Sequence, residues 1–547
     1  MKKTHLFTVL FAVLATALNA QNNFGKDYFC LGEYKTANKY FEQQISQSPA
    51  ESNYYLGEIA FAEGKNDEAK AFFDKGIAAN PLFKLNYIGQ GKLQLKTNQQ
   101  AAETIFATAL KKNKKNTELN VAVARAYYEC GMKDIATEKI EKARKYGKKS
   151  PLVYTLEGDI LVAEDKPGEA AGKFEQAIYF DPNYTVASMK CAKVYESINP
   201  TLSVEMYKKV LESHPDYTIA YRGIGNSYSQ NGMYQRAIEA YTLFFAEKNY
   251  NVEDITRFAF AYFFTDQFEK SITLVDEGLA LEPANFVLNR LRMYNASKVN
   301  DQVNGLNYAN YFFTLKSEKA DFIPLDYMSY AIILTDAGEY NKALDLFNSM
   351  LEADPNKMDV YKELYSVYSK MGESGKAADS YKKYMDLMGA DYLSVLDYYQ
   401  LGRAYYAAAS SLLNDSTEIG KTQFKEYITK ADSAFTTVCN LTPDSYTGYL
   451  WRGHTNAMLD PETTEGLAKP HYEAAANAIL NKAKENNGVN ENQKDLVTCY
   501  QYLGYYYYLK EDKANSTKYW HMVLALDPGN ANAKAVMDEY SRPAKKK

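Results

Sequence analysis

A period near 33 residues constrains this chain more than any other feature. Eight of its fifteen prolines (Pro49, Pro81, Pro182, Pro215, Pro283, Pro355, Pro443 and Pro528) each follow an apolar helical pattern. Their gaps lie near about 33 residues or its multiples, with two stretched intervals late in the chain. A chain with such a repeat needs no single core, because each unit packs only on its neighbours. The length of 547 residues, too great for one ordinary domain, is then no obstacle.

Within the period, small and large residues fall at fixed offsets. In the stretch from Tyr221 to Phe245, the residues Tyr221, Ile224, Gly225 and Tyr228 make one helical stripe. Gly232 breaks the chain, and Ala237, Tyr241 and Phe244 make a second stripe. The series returns from Tyr154 through Gly158, Ala170 and Phe174 to Pro182, and from Tyr327 through Ala331, Gly338 and Phe347 to Pro355. Apolar positions at helical spacing place two antiparallel amphipathic helices in each unit. A Gly or Ala facing an Ala lets the two backbones approach, and a neighbouring aromatic fills the remaining space.

These residues resemble the tetratricopeptide repeat signature: an aromatic, Leu-Gly and Tyr on the first helix, Gly at the turn, Ala, an aromatic and Ala on the second helix, then Pro. The resemblance implies an all-α solenoid, a right-handed superhelix of antiparallel helix pairs whose first helices line a groove. About fourteen units are expected, ending near Pro49, Pro81, Lys114, Lys148, Pro182, Pro215, Asn249, Pro283, Glu318, Pro355, Gly389, Pro443, Lys484 and Pro528. The third unit slips phase by about one residue, and the ninth lacks its small residue on the first helix. The twelfth carries about 17 extra residues between Gly402 and Ala431, with a turn at Asn414 to Thr417. The thirteenth contains a loop from Asp460 to Pro470, and Asn486 to Lys494 reads as a linker. A capping helix is expected over Asn530 to Tyr540. The expected arrays are 21–284, 285–390 and 391–541, followed by a basic tail at 542–547.

The amino-terminus reads differently. Lys2 and Lys3 precede an apolar run from Leu6 to Leu18, which describes a secretory signal peptide over residues 1–20, cut after Ala20 or alternatively after Ala17. Export to a Gram-negative periplasm, with outer-membrane association or secretion as alternatives, is the expectation. No later stretch approaches the roughly 20 apolar residues of a transmembrane helix.

Chemistry-bearing motifs are scarce. Five widely spaced cysteines form neither a disulfide framework nor a zinc site. His214, His454, His471 and His521 make no metal-binding spacing, and no P-loop, GxGxxG or GxSxG is present. A net charge of −5 with mixed signs gives no broad basic face for nucleic acid. The expectation is a non-enzymatic scaffold with no cofactor and no metal, binding peptide or helix segments of other proteins. A glycan or peptidoglycan binder with a Tyr-lined groove, and a hydrolase using the late insertions, are the alternatives.

Carried onto this chain, the groove-facing positions of the family place Phe260, Phe263, Phe264, Arg290, Met293, Met328 and Ile332 on one apolar partner surface. Arg222 and Asn226 resemble half of the carboxylate clamp of some members. The match then fails at Arg257, Val287 and Leu291, so only a weaker capture of an acidic group by Arg222 and Arg257 is expected. A second surface joins Arg403, Tyr406, His454, Tyr505 and Tyr508. In the run Tyr505 to Tyr508, helical steps of about 100° separate the rings. Tyr507 takes a packing position, Tyr506 meets the preceding unit, and Tyr505 and Tyr508 share the groove face.

Overall fold

The computed structural model describes residues 24–316, 321–485 and 492–542. The signal peptide, the unit boundary at Glu318, most of the linker at 486–494 and the basic tail beyond 542 lie outside the described residues. Among the described residues every regular element is helical, and fourteen helix pairs follow one another. The first pair is 24–30 with Tyr34–Gln44, the last is Gln493–Leu509 with Lys513–Leu526, and Ala531–Ser541 ends the series as a single helix. The chain divides into two compact units, 1–295 and 296–547.

Each unit is assembled the same way. The two helices of a pair pack on each other, and the second packs on the first helix of the next pair. In the first unit, first helices also lie side by side along the array. The pair interface is a glycine under an aromatic ring. Gly57 lies under Phe73, Gly158 under Phe174, Gly225 under Tyr241 and Gly504 under Trp520. A Cβ on Gly225 would stand 2.5 Å from the Tyr241 ring. That is inside van der Waals contact, so the small residue is a packing requirement.

Helix ends follow from local chemistry. Pro49, Pro151, Pro167, Pro200 and Pro324 occupy the first turns of their helices, where a missing N–H costs nothing. Asn98, Asn116, Asn199 and Asn530 cap helices by accepting backbone N–H bonds. At the turn inside a pair the backbone goes left-handed, at Gly232 with φ of 69°.

The irregular repeats resolve in different ways. In the third pair the glycine beneath Phe106 is Gly91, one residue later in phase than its counterparts. The 17 extra residues of the twelfth pair lengthen its helices instead of forming a loop, giving Val395–Ser411 of 17 residues and Glu418–Leu441 of 24. Gly402 still lies under Phe435. The Asn414 to Thr417 stretch remains the turn, and the Thr417 hydroxyl caps the longer helix by accepting from Gly420 N–H.

The Asp460 to Pro470 loop is tied down by one carboxylate. Asp460 is buried and accepts N–H bonds from Thr464, Glu465, Gly466 and Leu467. Burial acts to raise its pKa, but these four bonds outweigh it and hold the group below its ordinary 3.8. A depressed carboxyl contributes stability above its unfolded pKa and loses it as pH falls through the folded value. Asp460→Ala is therefore expected to cost about 3 kcal/mol at pH 7. Urea unfolding monitored by near-ultraviolet circular dichroism checks this, and the deficit should shrink as pH falls below 3.8 and the wild-type carboxylate protonates.

Candidate functional site: the inner face of the first unit

First helices of the first unit project charged side chains at intervals near one repeat, and these pair in series. Lys92 Nζ lies 2.6 Å from Glu58 Oε2 and 2.6 Å from Glu129 Oε2, with the Phe61 ring 4.2 Å from the same ammonium. Arg125 pairs with Asp159 at 3.1 Å, and Lys190 pairs with the other oxygen of Asp159. Arg222 stands 3.8 Å from Asp254. Signs alternate along the face, so its charges neutralise one another. Burial penalises the Lys92 ammonium, but Glu58 and Glu129 outweigh that penalty and hold its pKa above the usual value.

The opposite wall is the chain's own beginning. Helix 24–30 and the turn after it lie against elements nearly two hundred residues later in sequence. Tyr28 stacks on Tyr217 with ring centroids 5.5 Å apart, and Phe24 meets Tyr217 at 5.2 Å and His214 at 6.3 Å. Glu33 takes both terminal nitrogens of Arg222. Asn249 donates to Thr36 Oγ1 at 2.5 Å. A pocket of about 210 Å³ lies at this junction, lined among others by Glu33, Arg222, Glu196 and Asp254.

The Arg222 guanidinium is therefore taken by an acidic group of its own chain. Arg257 does not share in it: its guanidinium reaches Glu253 at 2.5 Å on its own helix. Asn226 lies at the floor of the junction pocket. It is buried, accepts from Tyr241 O–H at 2.9 Å and faces Glu196, because its position on Ile219–Gln230 turns it under the second helix of its own pair.

A second, more open pocket of about 290 Å³ joins Arg257, Phe260, Phe264 and Tyr234, with Asn226 and Tyr241 also among its lining residues. Phe264 is 53% exposed and stacks on Tyr234 at 4.6 Å, while Phe260 sits 6.0 Å from Phe264. Phe263 instead packs sideways against Phe268 and Tyr294. Arg290 lies over Phe286 at 4.9 Å. Met293, at 0% exposure, presents no surface to a partner: the helix Phe286–Lys298 turns it inward.

In the second unit Met328 is likewise buried, within a cluster around Ala331, Phe347 and Leu364, and Ile332 is half-buried beside it. Arg403, Tyr406 and His454 do gather, around the indole of Trp451. Trp451 has the Arg403 guanidinium at 5.4 Å, Tyr406 edge-on at 5.3 Å and His454 at 5.4 Å. Burial lowers the His454 pKa against a weaker pull from Asp495, and its Nδ1 lies 3.0 Å from Tyr472 Oη. Tyr505 and Tyr508 form a separate stacked pair at 6.4 Å, and Tyr508 O–H donates to Glu539 of the last helix at 3.0 Å. Tyr507 stacks on Tyr519, and Tyr506 lies against Gly466 of the preceding loop.

Two carboxylates of the late insertions are fully engaged. Asp432 accepts a bidentate pair from Arg452 at 3.0 Å each and an Asn456 amide at 2.7 Å, and Asp460 serves the loop backbone. Among the described residues no group of three His, Cys, Asp or Glu is placed to hold a metal ion, and no helix is long and apolar enough to cross a membrane. Cys130, Cys191, Cys439 and Cys499 are buried as free thiols, and Cys30 is half-buried.

The tetratricopeptide repeat family model matches residues 22–82. No curated protein matches the sequence. Among solved structures, the C-terminal part of a TPR repeat-containing protein from Cytophaga hutchinsonii is 24% identical, over 51% of this chain and 98% of that one, with a TM-score of 0.41. PilF of Pseudomonas aeruginosa is 16% identical over 38% of this chain and 96% of its own, with a TM-score of 0.33. YrrB, a TPR protein with an unusual peptide-binding site, is 17% identical over 34% and 95%, with a TM-score of 0.29. The matched amino-terminal stretch, together with the glycine-under-aromatic helix pair repeated along both units, gives this chain the all-α solenoid fold of tetratricopeptide repeats.

Proposed function

We propose that this protein is an exported scaffold for protein–protein interaction, working in the cell envelope, which takes a peptide or helix segment of its partner at the Tyr234–Arg257–Phe260–Phe264 pocket. One observation carries this reading: Phe264 is held exposed by stacking on Tyr234, beside a partly exposed guanidinium and over an open pocket. Rigid aromatic anchors with an Arg beside them are the side chains that carry most binding energy at protein interfaces. Tetratricopeptide repeats serve generally as non-catalytic scaffolds that bind proteins or peptides.

A glycan-binding role would use the Tyr505–Tyr508 pair, but the Tyr508 hydroxyl is already committed to Glu539, which favours the scaffold. The test is a peptide display selection on full-length protein recovered from the periplasm, whose amino-terminus should read Gln21, or Leu18 after the alternative cut. Selected peptides should bind the Phe264→Ala/Arg257→Glu variant at least about tenfold more weakly. Equal affinity for both proteins places docking elsewhere.

A further inference from the structure

The contact between the first repeat and residues 214–250 does not belong to the packing that builds a solenoid. Solenoid stability is a sum of units and nearest-neighbour interfaces, whereas Glu33 and Arg222 are 189 positions apart and the intervening pairs are already complete. The junction has a buried aromatic centre, with Tyr28 at 7% and Tyr217 at 0% exposure, and a wetter polar rim. Its members are Phe24, Tyr28, Glu33 and Thr36 on one side and Tyr217, Arg222 and Asn249 on the other. The Glu33–Arg222 pair is a quarter or less exposed, the Thr36–Asn249 bond is exposed, and the pocket of about 210 Å³ adjoins them.

We infer that the first repeat is a latch. It closes the inner face of the first unit against a partner, and it opens without unfolding the pairs behind it. Opening breaks the Glu33–Arg222 pair, the ring contacts of Phe24 and Tyr28 with His214 and Tyr217, and the Asn249–Thr36 hydrogen bond, and it bares the alternating charges from Lys92 to Arg222. This goes beyond the scaffold reading and does not depend on the Phe264 pocket being its docking site.

Cys30 is the natural reporter. It sits on the latch helix, where burial raises its pKa despite the nearby Lys190 and Arg125. Cys191, in a pair behind, is fully buried against Ala171 and Phe174 of the preceding pair. Burial and a raised pKa both slow alkylation, since the thiolate is the reactive form. The experiment measures iodoacetamide labelling of each thiol by peptide mass spectrometry on the full mature chain. The variants are Glu33→Arg, which sets two cations against each other, and Arg222→Ala, which leaves Glu33 among Glu196 and Asp254. Both are expected to label Cys30 at least about tenfold faster than wild type, with Cys191 still protected. The inference is overturned if Cys30 labelling is unchanged in either variant. It is also overturned if Cys191 becomes reactive together with Cys30, since the junction would then be part of one cooperative fold.

Discussion

At pH 7 the Lys92→Ala protein is expected to lose about 3–5 kcal/mol from the stability of its first unit. Lys92 is 3% exposed and holds Glu58 and Glu129 at 2.6 Å each. Removing the ammonium leaves one fully buried carboxylate facing a second with no cation between them, and desolvation is then uncompensated. Burial already pushes the Glu58 carboxyl up, against the opposing pull of Lys92, and in the variant that pull is gone. A carboxyl raised in the folded state contributes stability that is complete below its unfolded value and lost as pH rises through the folded one. The deficit should therefore narrow as pH falls from 7 towards 4.5, the ordinary Glu value. Urea unfolding of both proteins at the two ends of that window measures this. A deficit independent of pH would mean that the carboxylates relax into solvent. Adding Glu58→Gln to the variant should recover part of the loss at pH 7, because an amide carries no charge to desolvate.

The Phe73→Ala substitution is expected to cost a similar amount, about 3–5 kcal/mol, for a purely steric reason. The Phe73 ring is fully buried between Gly57 of its own pair and Gly89 of the next. Two glycines leave the surrounding backbone no side chains with which to fill the void, so the site cannot collapse around it. The reverse change tests the same packing from the other side. A Cβ at Gly57 would stand 2.5 Å from the ring, so Gly57→Val should also destabilise, by about 1–3 kcal/mol through overpacking. Because neighbours carry the stability of a repeat array, the damage should be local. Hydrogen exchange should rise across Pro49–Ala62, Asn66–Ala79 and Leu85–Gln94 while the helix Val395–Ser411 keeps its protection. Equal loss in both places would show that the two units unfold as one.

The glycine and aromatic positions that drive these expectations were readable before any coordinates. Gly158 with Phe174 and Gly225 with Tyr241 recur at one spacing, and that spacing is dictated by two helices of fixed rise joined by a short turn. Even the extra residues of the twelfth pair were located correctly. They extend the two helices of the pair, because Glu418 to Lys430 is helical in pattern as well as inserted, and a helix can grow at its free end without moving Gly402 from Phe435. The groove residues fared differently. Phe260, Phe264 and Arg257 do meet in one pocket. Met293 turns inward because it belongs to the irregular ninth repeat, where a stripe assigned by family position errs, and Met328 is covered within its own cluster around Ala331 and Phe347. Trp451 was overlooked although it organises Arg403, Tyr406 and His454. Its size marked it as core material, and sequence spacing gives no measure of how much of a ring remains uncovered.

The sequence by itself determined the helix pairs, their number, their turns and the small residues between them. All of these rest on contacts within a repeat or between adjacent repeats, where the chain's own periodicity sets which side chains meet. Only the tertiary structure decided what occupies the inner face. Glu33 and Arg222 are joined by the accumulated rotation of the intervening helix pairs, each contributing a small angle that no residue pattern states. A small error in that angle, multiplied along the array, separates a closed junction from an open groove.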